Sequence, residues 1–348
     1  MPSIKITDRL SNGETLLLDG GTGSELQRRG ANVLKGATKK ELKANEEYDS
    51  ASKLKTWAWS ATTNIEFSEV VRQVHKDYLR VGADIIISNN FWTIPSRMKG
   101  IGLGDRWKEY ATAAGENAVS ARDEENPEAY VAGGIAAPTM QSVQEVPVPD
   151  IEYMGEKAFH KEYYDHARLL ADIGVDLILA EYLGFVSDCV AAVDACAEVG
   201  LPVFLGIRHI GQNGKMQYHN TNQDNPTEET LNELVEALEG HPVDAILLMC
   251  SNPEAISAGL PIIRDSFNGP IGGYPNIGYN PSGPIANSPM LTNQLPSDGK
   301  DIFQTQNYPP SRLAEFAAKW KKTGAQIIGG CCATGPEHIM AMKPIVKD

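Results

Sequence analysis

Short apolar runs rich in Ile, Val and Leu recur along the chain, each leading into Gly or polar residues. Eight stand out: TLLLDGG (15–21), DIIISNN (84–90), AYVAGGIA (129–136), LILAEY (177–182), PVFLGIRH (202–209), AILLMCS (245–251), PIGGYPN (270–276) and QIIGGCC (326–332). Their apolar residues are consecutive rather than alternate, which predicts strands buried on both faces, as in parallel sheets. Helical patterns fill the gaps. SEVVRQVHKDYLRVGAD (68–84) gathers Val70, Val71, Val74, Tyr78, Leu79 and Val81 near one side and stops at Gly82. HKEYYDHARLLADIGVD (160–176) stops at Gly174 and TLNELVEALEGHPVD (230–244) at Gly240, the residue expected just past a last helical turn. Eight such units predict a (β/α)₈ TIM barrel, a single α/β domain over 1–348, with an open doubly wound sheet as the competitor. The shortest repeats, fourth to fifth strand and sixth to seventh, leave room for one helix and two turns, which fits the barrel.

A barrel gathers its chemistry where the strands end. Asp19 ends the first strand, Asn89 and Asn90 the second, Glu181 the fourth, Cys250 the sixth, Asn276 the seventh, and Cys331 and Cys332 the eighth. A disulfide between neighbours would close the smallest possible loop, with Cα atoms about 3.8 Å apart, below the preferred range. The sixth and eighth strands of a closed barrel are near neighbours, so three thiols converge, and three sulfurs are a donor set for zinc with a fourth position open. Regular alternation sends Cys331 and Cys332 to opposite faces. Gly329 and Gly330 are therefore expected to take unusual dihedrals, and TGPEHI to open a helix capped by Thr334 with Glu337 three residues on. Cys189 and Cys196, seven apart in SDCVAAVDACAEVG, read as core. His338 lacks a paired motif, while His209 lies at the pocket side of the fifth strand.

Composition narrows the function. Of 348 residues, 42% are hydrophobic and 22% charged, an ordinary globular balance. A formal charge of −14 argues against nucleic acid, and the nearest basic cluster, KGATKKELK (35–43), is broken by Glu41. MPSIKITDRLSNGE lacks a signal-peptide core, and no apolar run approaches a membrane span. Five cysteines, an odd number, fit a reducing compartment, so the expected location is cytoplasmic. No strand end carries a lysine, which argues against Schiff-base chemistry.

The motifs resemble, in order over nearly the whole chain, those of the homocysteine S-methyltransferases, which include the betaine–homocysteine enzymes. LLLDGGTGSELQRRG resembles the opening motif, LILAEYLG the fourth-strand acidic motif, and MCSNPEAI, GGYPNIG and IIGGCCATGPEHI the last three. The resemblance implies one Zn²⁺ per chain held by Cys250, Cys331 and Cys332, its open position taking the sulfur of homocysteine, which becomes methionine. It implies that Asp19 and Glu181 bind the α-ammonium, with backbone N–H groups around Gly20, Gly21 and Thr22 for the carboxylate. A donor for thiolate attack carries its methyl on a positive nitrogen or sulfur, which aromatic faces hold. Trp59, Trp92 and Tyr182 are the candidates, the last two standing where betaine-type enzymes carry tyrosines. S-methylmethionine, betaine, a sulfoniopropionate and S-adenosylmethionine all qualify as donors. Met249 stands where the family usually has Asn. The Pro-, Gly- and Asn-rich segment 276–311 is expected to cover the active face. Competing readings are another thiol acceptor, a corrinoid-protein donor, or a non-catalytic zinc- or redox-sensing barrel in which Asp19 and Glu181 are dispensable.

Overall fold

All eight apolar runs form strands: β1 Leu16–Leu17, β2 Ile85–Ile87, β3 Tyr130–Ala136, β4 Leu177–Leu183, β5 Val203–Arg208, β6 Ala245–Met249, β7 Ile271–Tyr274 and β8 Ala325–Ile328. The computed structural model describes residues 2–33, 59–139, 148–208, 215–216, 229–278 and 305–347. The strands pair in parallel in the order β1-β8-β7-β6-β5-β4-β3-β2. The remaining gap is closed by a parallel bridge between Leu18 and Ile85, with Asp84 N–H donating to Leu17 O at 2.7 Å and Asp19 N–H to Ile85 O at 2.9 Å. An eight-stranded sheet whose first and second strands meet is a (β/α)₈ barrel, not an open sheet. Nearly every strand residue is buried, as two-faced burial against an inner core and an outer helical layer requires.

The helices follow the apolar stripes. Ser68–Val81 buries Val71, Val74, Tyr78 and Leu79 and stops at Gly82 with φ 109°; Glu156–Ile173 stops at Gly174 with φ 99°. The third patterned segment is shorter than expected. Thr230 and Glu233 form a reciprocal capping box, but the helix runs only Leu231–Ala237. Leu238 N–H divides between the carbonyls of Leu234 and Val235, tightening the last turn before Gly240 is reached.

Of the segment expected to cover the active face, 279–304 lies outside the described residues, as does His209. The described parts are Asn276–Gly278, a turn at Thr305–Asn307 and the start of the helix Pro310–Lys322. Among the described residues no helix is long and apolar enough to cross a membrane.

Candidate active site

The strand ends carry unusual backbone. Among the described residues, four non-glycine positions have left-handed φ: Ser60 (53°), Tyr182 (62°), Cys250 (47°) and Ala333 (69°). All four lie on the face where the strands end, and each costs about 1–3 kcal/mol that surrounding structure must offset. At Tyr182 the β4–β5 register slips between Ala180 and Leu183. At Cys250 the chain leaves β6, with Cys250 N–H held by Tyr274 O at 3.0 Å.

The residues after β7 hold both thiol-bearing loops. Cys331 N–H donates to Pro275 O at 2.8 Å, Ile277 N–H to Cys332 O at 3.2 Å, and Asn276 N–H to Ser251 O at 3.1 Å. Between these contacts the sulfurs of Cys250, Cys331 and Cys332 come within 4.8 Å of one another, Cys331 Sγ and Cys332 Sγ being 4.0 Å apart. The Asn276 side-chain amide donates to Cys250 Sγ at 3.6 Å and accepts from Gly278 N–H at 3.0 Å, so its orientation is set from behind. Without a cation the thiols of Cys331 and Cys332 are pushed well above their usual range, first by hydrogen bonding with Cys250 and also by burial; the bond between the two raises Cys331 and lowers Cys332. Three thiolates this close need a positive ion, and the donor set fits a soft or borderline divalent metal such as zinc. Among the described residues no His, Asp or Glu joins the cluster, which leaves a tetrahedral corner open.

Two sequence expectations about this loop change. Neither Gly329 nor Gly330 has left-handed φ; Ala333 does, one residue past the pair. The glycines serve close approach instead, since a Cβ on Gly329 would meet Leu18 and Asp19 backbone and one on Gly330 would overlap Thr334. Thr334 is also not the cap. Pro336 begins the helix Pro336–Lys347, so the cap position falls on Gly335, and the hydroxyl of Thr334 has no partner among the described residues. Thr334 works through its carbonyl, which accepts from Gly21 N–H and the Tyr78 hydroxyl, both at 2.9 Å. Glu337 pairs with His338 Nδ1 at 3.2 Å, and His338 Nε2 contacts Tyr308 O, away from the sulfurs.

Two carboxylates sit deeper. Glu181, 4% exposed, accepts from the Tyr274 hydroxyl at 3.2 Å. Two glycines make its slot: a Cβ on Gly134 would crowd the carboxylate, and one on Gly206 would overlap the Tyr274 hydroxyl. Burial pushes Glu181 up to about 8, with the Tyr274 bond and Arg97 opposing and Cys250 adding. Asp19, fully buried, accepts from Ile87 N–H at 2.9 Å through Oδ2, while Oδ1 has no partner among the described residues. Burial raises it well above the ordinary carboxylate range, and Glu181 adds to the shift. A buried pair of acids with a free oxygen is the expected complement of a ligand ammonium.

A cavity opens over these groups. Of the residues singled out from sequence, Gly20, Gly21, Thr22, Trp59, Glu181, Tyr182 and the three cysteines line it. Asp19 and Asn276 lie directly behind the lining, and Trp92 is turned away, its ring face covered by the Arg97 guanidinium at 4.5 Å. Phe91 takes the place expected for Trp92, edge-on to Tyr182 with ring centroids 5.1 Å apart. Tyr274 and Met249 also line the cavity and were missed as site residues. Met249 Sδ accepts from Tyr182 N–H at 2.9 Å and from the Tyr274 hydroxyl at 3.3 Å, doing the work of a polar residue with a thioether. The signal for Tyr274 was present: an aromatic after Gly272 and Gly273 in a buried strand marks a large side chain that needs small neighbours.

The sequence profile described as homocysteine S-methyltransferase matches residues 16–346. The chain belongs to the homocysteine S-methyltransferase family. It is a methyltransferase. A homocysteine S-methyltransferase of Escherichia coli (strain K12) is 27% identical over 346 residues, covering 96% of each chain. The S-methylmethionine–homocysteine S-methyltransferase BHMT2 of Rattus norvegicus is 25% identical, over 98% of this chain and 81% of its own. A selenocysteine methyltransferase of Astragalus bisulcatus is 23% identical over the whole chain and 97% of its own. Among solved folds, the metallated form of the Escherichia coli homocysteine methyltransferase MmuM superposes with a TM-score of 0.68 at 24% identity, over 96% of this chain and 98% of that one. The family's barrel is thus shared from end to end, and the three-cysteine cluster lies at the end of its strands.

Proposed function

We propose that this homocysteine S-methyltransferase family member transfers a methyl group from a small onium donor to homocysteine, giving methionine, with zinc held by Cys250, Cys331 and Cys332. The observation that carries this reading is the approach of three sulfurs within 4.8 Å beside a buried carboxylate pair. A cation held by the three sulfurs supplies the positive charge that lets an incoming thiol, of ordinary pKa about 8.5, lose its proton at neutral pH. Everything else in the site positions the reactants.

Asp19 Oδ1 and Glu181 receive the α-ammonium of homocysteine. Burial raises both above the ordinary carboxylate range, and the arriving positive charge favours their ionised forms. The Tyr274 hydroxyl keeps Glu181 oriented. The carboxylate falls to Gly20 and Thr22 at the start of the helix Thr22–Arg28, because Gly21 N–H is already held by Thr334 O. Trp59 faces the donor's onium group, with Phe91 and Tyr182 walling the far side of the cavity. The attacking sulfur forms a bond to the methyl carbon as the bond to the onium atom breaks, and the donor leaves as a neutral amine or sulfide. Holding the two reactants in line is the larger contribution to rate.

The test is methionine formation from homocysteine with glycine betaine, dimethylsulfoniopropionate, S-methylmethionine and S-adenosylmethionine, each with zinc-replete protein and with Cys332→Ala. Methionine from at least one donor, abolished in the variant, is expected. Equal turnover in Cys332→Ala refutes the role given to the sulfurs.

A further inference from the structure

Two guanidinium groups stand behind the aromatic side of the cavity, and among the described residues neither has a carboxylate partner. Arg208 closes β5 and is fully buried. Gly206, two residues earlier, points inward, toward Tyr274, Glu181 and Met249, so strand alternation turns Arg208 inward one layer higher. Its guanidinium carbon lies 4.9 Å from the ring centroid of Tyr182, and Gly184 makes room for it, a Cβ there falling 3.0 Å from Nη2. Nε, Nη1 and Nη2 have no hydrogen-bond partner among the described residues. Arg97 covers Trp92 at 4.5 Å and Phe91 at 5.1 Å, and its N–H groups go to the carbonyls of Ala137 and Phe91. Among the described residues it has no carboxylate within ion-pair distance. Asp150, the acid that acts on it most, is itself held by the N–H and hydroxyl of Thr139.

A buried guanidinium with five donors and no acceptor is costly unless an anion reaches it. A ring already facing a guanidinium is also a poorer host for a second, bare cation. Across the cavity lie the acidic groups, three cysteines, Glu181 and Asp19. The fixed positive charge therefore stands behind Tyr182, on the side away from the sulfurs.

We infer that Arg208 forms the carboxylate subsite for the methyl donor, so that the preferred donor is a net-neutral zwitterion with one onium and one carboxylate. It lies with its onium methyl toward the cysteines and its carboxylate toward Tyr182 and Arg208. The inference rests on the methyltransfer reading above and divides its donors. Glycine betaine and dimethylsulfoniopropionate are net neutral; S-methylmethionine and S-adenosylmethionine bring an additional ammonium toward two arginines.

The experiment compares kcat/KM for dimethylsulfoniopropionate against trimethylsulfonium, and for betaine against tetramethylammonium, in the wild type and in Arg208→Met. The wild type is expected to favour a carboxylated donor by about 10- to 100-fold, the usual scale of a charged contact in a poorly solvated site. In Arg208→Met that ratio should fall below about 3-fold through a rise in KM for the carboxylated donor, with the bare onium unaffected. Arg208→Lys should recover part of the preference. An unchanged ratio in Arg208→Met, or a wild type that prefers S-methylmethionine, overturns the assignment. Calorimetric titration with 3,3-dimethylbutanoate, a carboxylate with an uncharged head, reads the subsite without turnover. Binding to wild type and its loss in a folded Arg208→Met support the subsite even if no donor yields methionine, an outcome that would sink the methyltransfer reading alone. Absence of binding to wild type overturns the subsite.

Discussion

The Tyr274 hydroxyl donates to Glu181 Oε2 at 3.2 Å, joining the end of β7 to the end of β4 across the barrel interior. The space for this contact comes from a third strand, at Gly206 in β5. Tyr274→Phe should therefore lower kcat/KM for homocysteine about 10- to 100-fold, the value of one hydrogen bond to a charged group, with the donor KM unchanged. Gly206→Ala should do more, because its methyl displaces the tyrosine and strains the inner core by about 1–3 kcal/mol. Initial-rate kinetics on both variants, with thermal melts, check the pair.

Asn276 donates to Cys250 Sγ, so on the zinc reading proposed above Asn276→Ala should weaken zinc binding about 10- to 100-fold while leaving three sulfurs in place. Competition with a chromophoric chelator measures this. Removing zinc from the wild type should lower Tm in proportion to chelator strength, since the ion binds the folded state alone. The same treatment should leave the Tm of Cys332→Ala unmoved.

Gly330→Ala tests close approach rather than dihedral freedom. Its methyl would overlap Thr334, whose carbonyl ties the loop to Gly21 and Tyr78. The variant should keep the far-ultraviolet spectrum of the barrel and lose most of its bound zinc. Full zinc retention would show that the loop tolerates the shift.

Two histidines on the helical layer predict the acid response. His75 and His166 are fully buried, and burial lowers them from 6.5 to about 4 and about 3. Below pH 6.5 the unfolded chain binds protons that the folded chain refuses, so stability falls as pH drops from about 6.5 toward those values. Each contributes a slope of about 1.4 kcal/mol per pH unit within its window. Both His75 nitrogens lack partners among the described residues, so His75→Leu should be near neutral at pH 7.5 and should flatten the decline. Urea melts between pH 4.5 and 7.5 read both effects.

Much of the site was legible because the barrel forces it. Consecutive apolar residues ending in Asp19, Glu181, Cys250 and Cys331–Cys332 announce strands whose ends carry chemistry, and parallel pairing then brings those ends together. Side-chain aim was less legible. Trp92 and Phe91 are adjacent and both aromatic, both lie against the buried Arg97, and it is Phe91 that lines the cavity. Tyr274 and Met249 were hidden by type, because an inward Tyr or Met in a strand reads as core until its partners are known. Thr334 fitted a capping box by spacing, but Pro336 moved the helix start by one residue.

The order of the ligands along the chain has a consequence for biogenesis. Cys250 leaves the ribosome some eighty residues before Cys331 and Cys332, and β8 lies against β7 (Gly272 with Ile327), whose end holds both thiol-bearing loops. A nascent chain that stops short of β8 consequently holds a single strand-end thiol from this set. On the zinc reading proposed above, ion capture would then report that synthesis has passed the eighth strand.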